Sequence, residues 1–332
     1  MDGVTIADAT HRWDVAEMTT EWLTDPSAPI LVAGRHGLVG SAISRRLLSD
    51  GYQNIIGPTH AELDYTDPTA TADYVGDVRP EVLIIAAARV GGIGANDREP
   101  VDFLNENLKI QTSLFEAAHA TSVPRVLFLG SSCIYPKLAP QPIPETALLT
   151  GPLEPTNEAY AIAKIAGITA VRSYRKQYGH AWISAMPTNL YGPGDSFDLE
   201  SSHVLPALIR RFHEAKESSA PYVTLWGTGN PRREFLHSDD LASAVATILA
   251  RYDGPDPVNV GCGEDISIRD LAILIRDAVG YTGDIRWDTS RPDGTPRKLL
   301  DVATLTAMGW QPSVRLEDGI AELYKWYLDR NA

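Results

Sequence analysis

Tyr160 and Lys164 are four positions apart, so on a helix their side chains share one face. A ketone that accepts a hydride also needs a proton, and a tyrosine hydroxyl can donate one. The ordinary pKa of tyrosine is about 10, and a nearby ammonium lowers it by favouring the phenolate. We therefore predict that Tyr160 is a catalytic acid and that Lys164 activates it. The alternative is a solvated helix face without chemistry.

Three glycines earlier in the chain, Gly34, Gly37 and Gly40, follow an apolar run and open a helical pattern. In a strand–turn–helix unit such glycines allow a tight turn, close approach of a pyrophosphate and close helix packing. We predict a dinucleotide site here, with Lys164 also holding the nicotinamide ribose; the alternative is a purely structural turn. The turn residues assigned to the cofactor are Gly34, Arg35, His36, Gly37, Leu38, Val39 and Gly40.

The end of the second predicted strand selects between the two nicotinamide dinucleotides. A carboxylate there would bind a ribose 2′-hydroxyl, whereas an arginine would accept a 2′-phosphate. Residues 57–60 contain no acid, and Arg35, His36 and His60 could form a positive pocket. The sequence therefore favours NADP(H).

A hydroxyl is expected just after the fourth strand, where it could hold the ketone oxygen. Ser131 supplies it, between Gly130 and Ser132. The glycine turn, this serine and the tyrosine–lysine pair thus follow one another in the order expected of a nicotinamide-dependent reductase.

These residues need a scaffold that brings separate strand ends together. Apolar runs alternate with helical patterns, the strands at residues 30–33, 54–56, 82–86, 126–129 and 182–186 and the helices at 38–48, 103–120, 156–178, 203–216, 239–251, 268–279 and 316–328. This alternation implies right-handed crossovers and a parallel sheet covered on both faces. We predict an α/β fold: a Rossmann-type doubly wound parallel sheet with a smaller, interleaved C-terminal α/β substrate domain.

The predicted division has three parts. Residues 1–29 form an N-terminal extension, which is not a signal peptide because it carries several acids and has no apolar stretch. We expect a partly ordered extension without a catalytic role; the alternative is a short amphipathic helix at residues 15–23. Residues 30–187 with about 235–261 form the dinucleotide-binding domain, and residues 188–234 and 262–332 bind the substrate.

Composition excludes several functions. A net charge of -14 repels phosphate backbones, so nucleic acid is not expected as a partner. No apolar run is long enough to span a membrane. The two cysteines, Cys133 and Cys262, suit a reducing cytoplasm and indicate neither a disulfide framework nor a metal site.

Beyond these sites, the chain resembles the extended short-chain dehydrogenases that act on nucleotide sugars, and among them the GDP-L-fucose synthase family, over about residues 30–330. The matching blocks are AAARVGGIGAN (86–96), FLGSSCIYPKLA (128–139), LEPTNEAYAIAKIAGI (153–168), MPTNLYGP (186–193), SHVLPALIRRFHEA (202–215), REFLHSDD (233–240) and PDGTPRKLLDV (292–302). The resemblance implies that GDP-4-keto-6-deoxy-D-mannose is epimerised at sugar carbons 3 and 5 and then reduced at carbon 4 with NADPH. It also implies a homodimer through the helices near 103–120 and 156–178.

The same resemblance implies roles for individual residues. Cys133 would be the base and His203 the acid of the epimerisations, and Ser131 would bind the keto oxygen. Without it, Cys133 would be interpreted as a small buried apolar residue and His203 as a helix cap. Besides the turn, His60 and Lys164, the cofactor would contact Ala87, Leu129, Gly130, Ser132, Pro187, Thr188, Asn189, Leu190 and His203. The GDP-sugar would contact Asn189, Arg211, Trp226, Arg233, Asp293, Arg297 and Lys298.

Related enzymes differ from this chain around Cys133. Dehydratases of this fold carry a Thr-Asp-Glu run at the positions of Ser131, Ser132 and Cys133, and simple 4-epimerases have small residues in place of Cys133. A nucleotide-sugar 4-ketoreductase or 4-epimerase without the double epimerisation stays open as an alternative. So does a non-catalytic dinucleotide-binding regulator, since fold does not fix function.

At the cofactor site the chain departs from the family's bacterial members, which carry arginines at the positions of His36 and His60. Histidine is mostly neutral at pH 7. We therefore expect a weaker preference for NADPH, with NAD(H) tolerated.

Overall fold

The structure, a computed structural model, describes residues 25–198, 202–291 and 293–331. Its strands are β1 (Ile30–Ala33), β2 (Ile55–Ile56), β3 (Val82–Ile85), β4 (Arg125–Leu129), β5 (Ile183–Pro187), β6 (Asn189–Tyr191), β7 (Tyr222–Trp226), β8 (Arg232–Arg233), β9 (Phe235–His237), β10 (Val258–Val260), β11 (Ile266–Ser267), β12 (Asp284–Asp288) and β13 (Arg297–Lys298). Its helices are α1 (Leu38–Ser49), α2 (Pro68–Val78), α3 (Ile93–Arg98), α4 (Pro100–Ala120), α5 (Glu158–Tyr178), α6 (Val204–Glu217), α7 (Ser238–Arg251), α8 (Ile268–Val279), α9 (Ala303–Ala307) and α10 (Leu316–Asn331).

A six-stranded parallel sheet, in the order β10-β5-β4-β3-β1-β2, forms the centre of the protein. β1 and β3 consist only of apolar residues and are fully buried, as a sheet covered on both faces requires. The chain places β2 on one side of β1 and β3 on the other, so the strand order reverses at β1. In doubly wound sheets, ligands bind at the carboxyl ends of the strands beside such a reversal.

Three hydrophobic cores hold the elements in place. One face of the sheet packs against α2, α4 and α5, and the other packs against α1 and α7. A third core joins α6, α8 and α10 with β7. The chain therefore leaves the central sheet after β5, contributes to the third core, and returns to the sheet at β10.

The predicted α/β fold is confirmed, and the strands and helices proposed from apolar patterns are present with bounds shifted by a few residues. The pattern missed α2, whose start depends on a local signal: the Asp67 carboxylate accepts hydrogen bonds from the amides of Thr69 and Ala70, with Pro68 in the first turn. The alternative of a helix at residues 15–23 concerns a segment outside the described residues. Within the described part, none of the helices combines the length and apolar character needed to cross a bilayer.

Candidate active site

The glycine turn after β1 is shaped by two close backbone approaches. Gly34 has φ +85°, and a Cβ there would lie 2.7 Å from the amide nitrogen of Ala87. A Cβ on Gly40 would lie 2.1 Å from the carbonyl oxygen of Gly34. Both distances are far below van der Waals contact, so only glycine fits at these two positions.

Gly37 has a different environment, and it is the one that points to a ligand. It precedes α1, and no side chain caps the first amides of this 12-residue helix, whose first turn contains no acid. A Cβ on Gly37 would meet only the Gly34 carbonyl oxygen, at 3.5 Å. The space on the Cβ side of Gly37 is therefore open, and free amides with the positive end of the helix dipole suit a pyrophosphate there.

Two side chains of the turn reach the end of β2, where the adenosine ribose is expected. The Arg35 guanidinium donates to the carbonyl oxygen of Ile55 at 2.6 Å, and His36 Nε2 lies 3.1 Å from that of Gly57. The acid Glu62 lies close to His36. Hydrogen bonds from Thr59 lower the pKa of Glu62, and attraction to His36 lowers it further. The expected positive pocket thus contains a neighbouring carboxylate.

The third member of that pocket is placed differently. His60 is exposed and lies near Asp64, whose pKa is lowered mainly by a hydrogen bond from the Thr66 amide. The structure therefore brings Arg35 and His36 to the strand end, whereas His60 faces solvent beside a second acid.

Lys164 is buried, with 4% of its surface exposed. Its ammonium donates to the carbonyl oxygen of Leu129 at 2.9 Å and lies 4.9 Å from the centre of the Phe128 ring and 5.8 Å from that of Tyr160. Burial lowers the pKa of Lys164 to about 8. The predicted pair is thus assembled on one face of α5.

The electrostatics of Tyr160 correct one expectation. Burial raises the pKa of its hydroxyl, the charge of Cys133 raises it further, and a hydrogen bond with Ser131 lowers it. Lys164 is not among the groups that shift it, so the expected lowering of the tyrosine pKa by the lysine is wrong for this arrangement. The reason is that desolvation dominates and that the ammonium is directed to the Leu129 carbonyl.

Ser131 joins the two reactive side chains. Its hydroxyl accepts a hydrogen bond from the amide of Cys133 at 3.2 Å, and it hydrogen-bonds Tyr160. The preceding Gly130 allows this position, because a Cβ there would lie 2.4 Å from Met186 Sδ. Ser132 is buried and is the first residue of the short helical turn that follows Ser131. The hydroxyl expected after β4 is therefore in contact with both Cys133 and Tyr160.

Cys133 lies among polar groups. Asn157 Nδ2 donates to its sulfur at 3.2 Å, and the Lys298 ammonium lies 3.7 Å from the same atom. Burial lowers the pKa of the Arg233 guanidinium, whereas attraction to Cys133 and Glu154 raises it. These surroundings differ from those of a small apolar residue in a core.

His203 immediately precedes α6, yet its side chain caps none of the helix amides. The ring is exposed, but desolvation by the surrounding protein lowers its pKa, which favours neutral imidazole at pH 7. Among the described residues, no hydrogen bond or ion pair joins His203 to Cys133.

Thr188 and Asn189, which follow β5, donate hydrogen bonds from their side chains to the carbonyl oxygen of Glu234, at 3.3 and 2.8 Å.

The residues assigned to the GDP-sugar fall into two groups. Trp226 is 61% exposed, and the guanidinium carbons of Arg211 and Arg291 lie 6.0 and 5.1 Å from its ring centre. An exposed indole with two cations beside it suits a nucleobase and a diphosphate. Asp293 is instead tied to the loop after β7, because its carboxylate accepts from the amide and hydroxyl of Thr228 at 2.7 and 2.8 Å.

Arg297 is also engaged within the protein. It pairs with Asp265 at 2.5 Å, and Arg232 pairs with the other oxygen of that carboxylate at 2.7 Å. Burial would raise the pKa of Asp265, but the two arginines hold it below its ordinary value. The described residues contain no cluster of three or more His, Cys, Asp or Glu side chains placed to hold a metal ion.

Comparison with known protein families identifies the family of the chain. The family model described as the NAD dependent epimerase/dehydratase family matches residues 30–261. The chain belongs to this family.

Within the NAD dependent epimerase/dehydratase family, the chain is similar to two proteins named GDP-L-fucose synthase and to a solved GDP-sugar reductase. GDP-L-fucose synthase 1 of Arabidopsis thaliana is 56% identical over 306 residues, 92% of this chain and 95% of that protein. GDP-L-fucose synthase of Escherichia coli is 49% identical over 309 residues, 90% of this chain and 96% of that protein. A GDP-mannoheptose C4 reductase from Campylobacter jejuni, solved with NADP bound, has a TM-score of 0.84 at 33% identity and covers 92% of this chain and 99% of its own.

Two side chains that lie at the candidate site were not predicted from the sequence. Asn157 lies three positions before Tyr160, one helical turn, and that spacing could have identified it. Arg291 has no local signal, since only the fold brings it to Trp226.

Proposed function

We propose that the protein converts GDP-4-keto-6-deoxy-D-mannose to GDP-L-fucose. The observation that carries the proposal is the chain of contacts from Cys133 through Ser131 to Tyr160, which unites a candidate epimerisation base with a reducing group. The relatives named GDP-L-fucose synthase, at 56% and 49% identity over almost the whole chain, support the same reading.

The cofactor we propose is NADP(H), as in the Campylobacter jejuni relative, with NAD(H) tolerated. The turn at residues 34–40 would hold the pyrophosphate, and Arg35 and His36 would receive the 2′-phosphate. The dinucleotide supplies the hydride for the reduction. The Glu62 carboxylate near His36 suits a free 2′-hydroxyl, which is why we expect NADH to be accepted.

That expectation is tested by comparing kcat/KM for the two reduced cofactors. We expect a preference for NADPH well below a hundredfold. A preference above about a hundredfold, about 2.7 kcal/mol, would contradict dual use while leaving the proposed reaction intact.

In the epimerisations, the ketone at carbon 4 acidifies the hydrogens on carbons 3 and 5. Cys133 removes each proton, and the electron pair of the broken C–H bond passes into an enolate at the keto oxygen, which Ser131 holds. Protonated His203 delivers a proton to the opposite face of the sugar, where the enolate electron pair forms the new C–H bond. Proton exchange with solvent then restores the thiolate and the imidazolium before the second epimerisation. A histidine with a lowered pKa is a readily dissociating acid once it is charged.

In the reduction, Tyr160 donates its proton to the oxygen of carbon 4 as that oxygen becomes a hydroxyl. Ser131 is within hydrogen-bond reach of both Tyr160 and the amide of Cys133, so one hydroxyl can orient the ketone for both reactions. Lys164 supports the tyrosine and the nicotinamide ribose. The order, epimerisation before reduction, follows because both C–H acidities require the ketone.

Recognition of the GDP-sugar is proposed for the cations and the exposed indole outside the central sheet. Arg211 and Trp226 suit the guanosine diphosphate, and Arg233 lies where it can face the sugar and Cys133. Although the whole chain has a net charge of -14, charges beyond about 8 Å are screened, so these local cations dominate. The division at residues 1–29, 30–187 with 235–261, and 188–234 with 262–332 is proposed with this assignment, as are a homodimer and a cytoplasmic location.

A second candidate is a GDP-sugar 4-ketoreductase without epimerisation, favoured by the likeness to the Campylobacter jejuni C4 reductase. The test is product identification by NMR after incubation with GDP-4-keto-6-deoxy-D-mannose and NADPH in deuterated water. We expect GDP-L-fucose with deuterium at carbons 3 and 5. A reduced product without deuterium at these carbons would establish the ketoreductase instead.

A further inference from the structure

The Lys298 ammonium is directed at the sulfur of Cys133. Its Nζ lies 3.7 Å from Cys133 Sγ, although the two residues are 165 positions apart in the chain. Among the described residues, no carboxylate forms an ion pair with Lys298, in contrast to the neighbouring Arg297, which is paired with Asp265. The positive charge of Lys298 is therefore available to a negative charge on the sulfur.

The backbone on both sides of Lys298 is held in place by one side chain. Gln141 donates from Nε2 to the carbonyl oxygen of Arg297 at 3.1 Å and accepts at Oε1 from the amide of Leu299 at 2.8 Å. Ile143 adds a bond from its amide to the Leu299 carbonyl oxygen at 2.8 Å. The segment that follows Cys133 thus fixes the position of the residue that faces Cys133.

Asn157 approaches the sulfur from another direction. Its Nδ2 donates to Cys133 Sγ at 3.2 Å, and its Oδ1 is buried without a partner among the described residues. An amide whose nitrogen faces sulfur favours the anionic sulfur, because the opposite orientation would place an oxygen against it. An anionic sulfur accepts the hydrogen bond from this N–H group more strongly than a thiol does, because the bond is then charge-assisted.

A cysteine can remove a proton from carbon only as a thiolate, and a partly buried anion is costly unless it is paired and hydrogen-bonded. Lys298 supplies the charge and Asn157 the hydrogen bond. We propose that these two positioning residues hold Cys133 as the thiolate that faces the sugar, an inference that rests on the proposed epimerisation. In the step itself the sulfur takes the proton from carbon, the C–H electron pair enters the enolate, and Lys298 keeps its own proton.

The direct test is alkylation of the full-length protein by iodoacetamide, which reacts with thiolates. Burial raises the pKa of the other cysteine, Cys262, to about 12, so labelling near pH 7 reports on Cys133 and is located by peptide mass spectrometry. We expect Lys298→Met to slow this labelling about tenfold, the effect of removing a nearby opposite charge, and to move its pH profile to higher pH. Lys298→Arg should keep the wild-type rate, and Lys176→Met, at an exposed lysine of α5, is the matched control.

A second measurement separates this role from simple binding of the substrate diphosphate. We expect Lys298→Met to lower the rate of deuterium entry at sugar carbons 3 and 5 about tenfold with little change in KM, and Asn157→Asp to slow labelling through charge repulsion. Equal labelling rates in wild type and Lys298→Met, or a raised KM with normal labelling, would overturn the inference. Labelling needs no substrate. Slow labelling of Lys298→Met, combined with a wild-type protein that forms no GDP-L-fucose, would therefore support the contact between Lys298 and Cys133 and reject only the proposed reaction.

Discussion

The reducing half of the site, formed by the turn at residues 34–40 with Tyr160 and Lys164, is built differently from the sugar half around Arg211, Trp226, Asp293 and Arg297. In the reducing half, backbone geometry and one helix face create the site, and Gly37 leaves its space open. In the sugar half, two of the side chains assigned to the ligand already have protein partners: Asp293 accepts from Thr228, and Arg297 pairs with Asp265. A binding site formed by backbone groups is specified by the sequence of its own segment. A binding site formed by side chains also depends on residues that lie far away in the chain.

The largest expected effect tests whether the two halves act separately. Tyr160→Phe should lower the rate of ketone reduction about 10³-fold, because a general acid contributes on that scale. Deuterium exchange at carbons 3 and 5 should persist, since Cys133 and Ser131 are retained. NADPH oxidation and NMR are followed in parallel, with Tyr174→Phe on α5 as the matched control. Loss of exchange together with reduction would show that the halves are not separable.

The second prediction compares two glycines of the turn. Gly40→Ala places a Cβ 2.1 Å from the Gly34 carbonyl oxygen and should lower the free energy of unfolding by about 3 kcal/mol through overpacking. Gly37→Ala should leave stability unchanged and weaken NADPH binding about tenfold, or 1.4 kcal/mol, because its methyl group fills the open space. Denaturant unfolding and calorimetric titration measure the two effects. Equal destabilisation by both variants would mean that the space before α1 is not open.

The third prediction uses the buried charge of Lys164. Its pKa is lowered to about 8 from 10.5, so between pH 8 and 10 the unfolded chain holds this proton and the folded protein does not. Stability therefore rises with pH in this window, and the full cost of burying the charge is present below pH 8.

We expect the wild type to gain about 2 kcal/mol over this window relative to Lys164→Met, since each pH unit corresponds to about 1.4 kcal/mol. Urea unfolding at pH 7, 8, 9 and 10 measures the difference between the two proteins. The other titrating groups cancel in that difference, so parallel curves would show that Lys164 does not titrate in this range.

The smallest expected effects sharpen the contrast within the sugar half. Arg211→Met should raise KM for the GDP-sugar about tenfold, about 1.4 kcal/mol, at unchanged stability. Arg297→Met should lower stability by about 1 kcal/mol at nearly unchanged KM, because Asp265 keeps only Arg232. Steady-state kinetics and thermal unfolding of both variants measure these effects. A large increase in KM for Arg297→Met would show that Arg297 binds the GDP-sugar.

The elements that carry the reducing half could be predicted from the sequence because their determinants are local. The glycine spacing, the four-residue spacing of Tyr160 and Lys164 and the apolar runs of β1 and β3 each lie within one element. Roles for Cys133 and His203 came only from the family resemblance. Among the described residues, none links the two by a hydrogen bond or ion pair.

The sugar half could not be predicted in the same way. β8, β11 and β13 have two residues each, too few for a periodic pattern, and they place Arg232, Asp265 and Arg297 together. The contact between Lys298 and Cys133 spans 165 positions. The direction of the pKa shift of Tyr160 could be determined only from the fold, because residue spacing does not show how deeply the hydroxyl is buried.

Glu234 shows what the path of the chain means for how such a scaffold can be altered. This fully buried carboxylate accepts from the amides of Gly263 and Leu300 at 2.7 and 3.1 Å, joining the stretch before α7 to the stretch after β10. The third core is likewise drawn from both stretches. No single contiguous block can therefore be grafted or recombined to transfer sugar recognition. New specificity in this scaffold is acquired by individual substitutions on an intact frame.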